Sequence, residues 1–201
     1  MASKVCLDAS TPNSGINLAK ANVGCVMRYL SSVKGPKVLT AGEYSDLIEH
    51  GVAVGLVYED NTLDMNGGPQ AGNHHALVAS WEAGALGWPS GSGIYFACDT
   101  PTPPPHTGVT MAAIAPVIRG HGWRVGWYGN ADAGRLLMVA GYVDLIWAVD
   151  TWGSRKLDYC HLAQRANHSP VQITGVTYDY NTVLTADFGQ NPRPAPIGWA
   201  S

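Results

Sequence analysis

Eight short apolar runs, most of them ending on a carboxylate or another polar side chain, constrain this chain of 201 residues more than any other feature. They span 4–7, 25–29, 53–58, 93–97, 124–128, 145–149, 158–164 and 171–178. Most are nearly continuous in apolar residues, as strands covered on both faces are. Helix signals lie between them. Thr40-Ala41-Gly42-Glu43 reads as a capping box ahead of Leu47 and Ile48, and Gly51 suits the stop. Residues 71–86 place Leu77, Trp81 and Ala85 on one helical face. Asn130 can cap a helix reaching Ala140, and 109–119 reads as helical with Pro116 inside it.

This alternation predicts an α/β fold: a single (β/α) TIM-like barrel over 1–190, followed by an extended Pro-rich tail over 191–201. An open doubly wound sheet is the alternative. Its usual GxGxxG loop is missing after the first strand, where the chain reads Asp8-Ala9-Ser10-Thr11-Pro12-Asn13-Ser14-Gly15. No internal repeat and no second domain is visible.

Composition narrows the partners. Hydrophobic residues make up 46% and charged residues 13%, with a formal net charge of −3. Nothing there favours nucleic acid or an anionic membrane surface, and no apolar run reaches spanning length. The start, Met1-Ala2-Ser3-Lys4, shows no secretory signal, so release by host lysis or association with a virion is the expected route to a cell wall. The cysteines Cys6, Cys25, Cys98 and Cys160 form no CxxC pair and read as buried free thiols. The histidines show no metal-ligand spacing. No metal and no cofactor is expected.

Strand ends of a parallel barrel collect functional side chains. Here they read Asp8, Arg28, Glu59 with Asp60, Asp99, Tyr128, Asp150, Gln164 and Asp179. Acids at five of eight ends are more than 15 acidic residues would place by chance. Alternation along 93–99 puts Tyr95, Ala97 and Asp99 on one side and Cys98 on the other, with Cys6 inside the barrel below Asp8. Clustered carboxylates suit acid–base chemistry, because repulsion and burial leave one protonated and one ionised. Seven Trp and nine Tyr against two Phe suit sugar rings, and Trp127, Tyr128, Trp147 and Trp152 fall near strand ends.

The order of these motifs resembles a known family. An early strand ending in Asp8, then Arg28-Tyr29-Leu30, Tyr58-Glu59, Ile94-Tyr95-Phe96-Ala97 before Asp99, Val125-Gly126-Trp127-Tyr128-Gly129, and Gln164 ahead of Asp179 and Asn181 is similar to the glycoside-hydrolase-like TIM-barrel domain of actinobacterial secreted proteins and their phages. That family is distantly similar to lysozyme-like muramidases. The resemblance implies a pocket holding Asp8, Arg28, Glu59, Asp99, Tyr128, Gln164 and Asp179, and a cell-wall glycan as ligand. Muramidase-like relatives carry a second acid two residues after the Asp of strand four; here that position is Pro101.

Two functions follow as expectations. In the first, a glycosidase uses Asp99 and Glu59 as its catalytic pair, either of them as the acid. Asp8, Arg28, Tyr128, Trp152, Gln164 and Asp179 bind the sugar. In the second, the barrel is a catalytically inactive virion module for host-surface binding or assembly. It would meet other virion subunits, or copies of itself, through the 191–201 tail.

Overall fold

The computed structural model describes residues 5–154 and 156–192. Six strands come first: β1 (Val5–Asp8), β2 (Val23–Leu30), β3 (Ala53–Tyr58), β4 (Gly93–Ala97), β5 (Arg124–Gly129) and β6 (Leu145–Val149). Five helices connect them: α1 (Gly15–Lys20), α2 (Ala41–Glu49), α3 (Gly68–Ala85), α4 (Thr107–Gly120) and α5 (Ala131–Val139). Then come β7 (Leu162–Gln164), β8 (Val171–Ile173) and β9 (Val176–Val183), with no helix among the described residues after α5.

The strands pair in the order β1-β2-β3-β4-β5-β6-β7-β9, and β9 closes the ring onto β1. β1 to β7 are mutually parallel, whereas β9 runs antiparallel to both β7 and β1. The expected (β/α) TIM-like barrel is therefore overturned. The fold is a mixed eight-stranded β-barrel with five helices. The physical reason lies in the last third of the chain. The run 171–178 is two strands rather than one: Thr174 and Gly175, at φ 48° and 83°, form the two-residue turn between them. Positive φ at both central positions is the geometry of a hairpin turn, and it reverses the chain before the final barrel strand.

Interior and exterior follow strand alternation. Cys6, Met27, Val57, Tyr95, Ala97 and Trp147 pack inside the barrel, while Cys98, Phe96 and Trp127 join the outer core beneath the helices. Large interior side chains seat over glycines: a Cβ on Gly126 would meet the Tyr95 ring at 2.4 Å, and one on Gly55 would meet the Met27 sulfur. Phe188, fully buried, fills the end of the barrel away from Asp8 and Asp99. Its carbonyl accepts from Tyr95 Oη at 2.7 Å, Gly189 O accepts from Gly93 N at 2.8 Å, and Asn191 bridges Val54. The expected tail thus begins, at Asn191, as a strap across the barrel floor. Its remainder beyond Pro192 lies outside the described residues.

The helices correct two expectations. Thr40 Oγ1 accepts from Glu43 N at 3.2 Å, but the Glu43 carboxylate completes no capping box and instead meets Arg28. On α3 the apolar face read at Leu77 and Trp81 points to solvent, at 59% and 69% exposure; the small residues Ala76, Ala79 and Ala83 pack inward. α4 continues through Pro116, and Asn130 Oδ1 caps α5 by accepting from Ala133 N at 3.1 Å. All four cysteines are buried free thiols.

Candidate functional site

The C-terminal ends of the parallel strands open onto a cavity of about 400 Å³. Asp8 of β1, Tyr29 of β2, Glu59 after β3, Asp99 after β4, Tyr128 of β5, Trp152 after β6, Gln164 of β7 and Asp179 of β9 all line it. All but Trp152, which comes from the turn after β6, belong to the inward phase of their strands. Register brings them level: Asp8 stands opposite Asp179 in the β1–β9 ladder.

One hydrogen-bonded chain organises the floor. Tyr128 Oη donates to Gln164 Oε1 at 2.7 Å. Gln164 Nε2 then lies 3.4 Å from both Asp8 Oδ2 and Asp179 Oδ2. From the other side Trp147 Nε1 donates to Asn181 Oδ1 at 2.8 Å, and Asn181 Nδ2 donates to Asp8 Oδ2 at 2.6 Å. Asp8 is 3% exposed. Burial is the main force raising its carboxyl to about 7, helped by the charges of Asp179 and Asp99 and opposed by the bonds from Asn181 and Gln164. Asp99 is also raised, by burial first and then by Glu59, with Lys37 opposing. Glu59 holds an ion pair: its Oε2 lies 2.5 Å from Lys37 Nζ, which also sits 4.5 Å above the Tyr29 ring. Of the acids lining the cavity, Glu59 is thus ion-paired to a lysine, while Asp8 and Asp99 are biased toward protonation.

Arg28 is not part of the pocket. It lies in the outward phase of β2, buried, between Met27 and Tyr29 that face in. Its guanidinium donates to Glu43 Oε1 at 2.8 Å and Oε2 at 3.1 Å, and to the carbonyl of Ala9. It ties β2 to α2 and to the loop after β1. Tyr29 takes its place as the β2 residue of the pocket. Two strand-end acids also face away. Asp60 accepts from the Ser31 and Ser32 hydroxyls at 2.6 Å, and Asp150 pairs with Arg165 at 3.4 Å. Trp127, offered by its position near a strand end, is fully buried outside the barrel, where its Nε1 donates to Asn130 O at 3.0 Å.

Sequence reasoning missed Tyr29, Lys37, Arg165 and His168. Alternation in β2 carried the signal for Tyr29. Lys37 comes from the β2–α2 loop, and Arg165 and His168 from the loop after β7, where no periodicity applies. His168 stacks on Tyr180 with centroids 4.3 Å apart at the cavity edge. Among the described residues no group of three or more His, Cys, Asp or Glu could hold a metal ion.

A closed barrel with an acid-lined mouth and aromatic walls is a glycoside-hydrolase-like arrangement, and comparison with known proteins gives the family. The chain belongs to the Rv2525c-like, glycoside hydrolase-like domain family, whose family model matches residues 17–187. No curated protein sequence is a significant match. Among solved structures, the fold is similar to that of the Tat-secreted protein Rv2525c of Mycobacterium tuberculosis, with TM-score 0.81 and 23% identity over 93% of this chain and 98% of that one. It is also similar to a family 25 glycosyl hydrolase from Bacillus anthracis, with TM-score 0.63 and 12% identity over 92% of this chain and 90% of that one. The modular autolysin LytC of Streptococcus pneumoniae, solved with a synthetic peptidoglycan ligand, gives TM-score 0.62 and 14% identity over 89% of this chain and 46% of that one.

Proposed function

We propose that this protein binds bacterial cell-wall glycan at the barrel mouth and hydrolyses it with Asp99 and Glu59. The observation that carries the reading is the shared cavity in which Asp99 is raised by burial and by Glu59, while Glu59 pairs with Lys37. Glycoside hydrolysis requires one protonated and one ionised carboxyl group across one bond. Asp99 is the acid in this reading, and Glu59 the anion that acts as nucleophile or base. Tyr128, Trp152, Gln164, Asp8 and Asp179 hold the sugar. The family 25 hydrolase and the peptidoglycan-bound autolysin among its structural relatives support a wall glycan as ligand. The order of the short motifs supports extending the reading to an actinobacterial or phage protein.

The test is glycan release from purified cell walls, with co-sedimentation measuring binding in the same tube. Asp99→Asn and Glu59→Gln should each lower release at least about a hundredfold, the scale of general acid–base assistance. Release that survives both substitutions would sink the assignment.

Pro101 favours a second reading, binding without hydrolysis. Proline neither donates nor accepts a proton where muramidase-like relatives keep an acid. In that case the unaltered protein releases nothing, and Trp152→Ala abolishes sedimentation with the wall. A virion module would behave in this way.

A further inference from the structure

We infer that Lys37 is a positioning residue for the proposed hydrolysis: from the loop between β2 and α2 it seats Glu59 as nucleophile or base and leaves Asp99 as the acid. This rests on the glycan-hydrolysis reading above and adds to it the group that tells two neighbouring carboxyls apart.

The first ground is how the lysine is held. The segment 36–39 is fastened to the end of β2. Leu39 N donates to Tyr29 O at 2.9 Å, Val38 forms an isolated parallel bridge with Tyr29, and the Pro36 carbonyl accepts from Arg28 Nη2 at 3.3 Å. Lys37 stands between these anchors. Its Nζ lies 2.5 Å from Glu59 Oε2 and 4.5 Å from the centre of the Tyr29 ring. Ring and carboxylate fix the ammonium from two sides. The Lys37 side chain is 31% exposed, against 63% for Lys34 of the same loop.

The second ground is which acid it reaches. The cavity acids are Asp8 on β1, Glu59 after β3, Asp99 after β4 and Asp179 on β9. Tyr29 faces them from β2, Tyr128 from β5 and Gln164 from β7, with His168 at the edge. Arg165 lines the cavity too, but it is turned to Asp150 and the Thr182 hydroxyl. Among the described residues, Lys37 is thus the cation paired with a cavity acid. An ammonium favours the charged form of the carboxyl it touches more than that of a neighbour farther away. It touches Glu59. At Asp99 it is outweighed, because burial and Glu59 raise that carboxyl against it.

The third ground is how little the pair offers the fold. A partly exposed ion pair adds little to stability and costs side-chain freedom. Both partners of the ammonium, Glu59 and Tyr29, line the cavity. Its contacts therefore serve the barrel mouth.

The experiment follows the initial rate of glycan release from purified cell walls across pH, at low wall concentration, with co-sedimentation for affinity. An NMR titration of carbon-labelled aspartate carboxyls follows Asp99 directly. Lys37→Met should lower release at least about tenfold while sedimentation with the wall stays unchanged. It removes a charge that opposes the rise of Asp99, so the basic limb of the profile and the Asp99 titration should both move to higher pH. Lys37→Arg should restore the rate and return both to their places. Lys20→Met, at an exposed position ending α1, should change none of these. An Asp99 titration unmoved by Lys37→Met would overturn the assignment. So would an equal shift in Lys20→Met, which would trace the effect to overall charge. Release that falls together with the urea midpoint, the basic limb staying in place, would reduce the lysine to a structural role and overturn it too. No release by the unaltered protein, with Asp99 moved by Lys37→Met, would overturn hydrolysis and leave Lys37 as the residue that sets charge at the mouth.

Discussion

Asp8 shows how one residue can serve the site at the expense of stability. In the unfolded chain its carboxyl titrates near the ordinary value of 3.8; in the fold it titrates near 7. A raised carboxyl makes the folded state bind a proton that the unfolded state has already released. Stability is therefore full below about pH 4 and falls as pH rises toward 7, by up to roughly 4 kcal/mol. Asp8→Asn removes that titration. Its denaturation midpoint should change far less between pH 4 and 8 than that of the unaltered protein, as urea melts at several pH values will show. Arg28 is the opposite case, a buried charge whose role is structural. Arg28→Ala strands Glu43 without its partner and should cost about 3–5 kcal/mol. Glycan affinity of the folded fraction should stay intact, which calorimetry at low temperature can read. An unchanged melting midpoint would contradict the role given to the Arg28–Glu43 pair.

At the scale of elements, the decisive piece is the β8–β9 hairpin. It turns the chain so that β9 enters the barrel antiparallel and delivers Asp179 and Asn181, two residues apart, to the same face. Gly175 sits at φ 83°, where a side chain is strained. Gly175→Ala should therefore destabilise by about 1 kcal/mol or more. The hydrogen bond from Asn181 to Asp8 depends on β9 register and opposes the rise of the Asp8 carboxyl, so its loss should raise that carboxyl further. The carboxyl resonances in an NMR titration would report it. The elements also explain which readings succeeded. Runs 53–58, 93–97 and 145–149 coincide with β3, β4 and β6, because continuous apolar runs of that length leave little choice. The run 171–178 failed because Thr174-Gly175 is a weak turn signal among β-branched residues, and the positive φ of Thr174 is not written in its side chain.

On the scale of the whole molecule, the barrel works as a cup with a filled base. Phe188 and the strap from Gly189 to Asn191 close the floor, so the cavity opens only on the acid-lined side among the described residues. Phe188→Ala should cost about 3–5 kcal/mol by leaving a void among Met27, Tyr95 and the floor backbone. Thermal melts will measure it. The four thiols, buried within this packing, should resist a neutral thiol reagent in the native state and all react in denaturant. Early reaction of Cys6 or Cys25 would mean that the floor opens.

The amino-acid sequence by itself determined most of the strands, the inward phase of β4 and the carboxylates at the strand ends. All three are local: a run of apolar residues, a period of two, and a side chain at a boundary. Applied to β4, that period correctly separated Asp99 from Cys98. Applied to β2, it would have chosen Tyr29 over Arg28, whose place in the resemblance concealed the change of face. What only the tertiary structure decided is non-local. The direction of the last strand depends on a backbone turn whose φ values no side chain declares. The partner of Glu59 is a loop lysine, 22 residues earlier in the chain, brought over Tyr29 by the closing of the barrel. The Asp8 carboxyl is raised because burial and the charges of Asp179 and Asp99 outweigh there the opposing hydrogen bonds from Asn181 and Gln164. Charge environment is a sum over neighbours in space, and a linear chain does not list them.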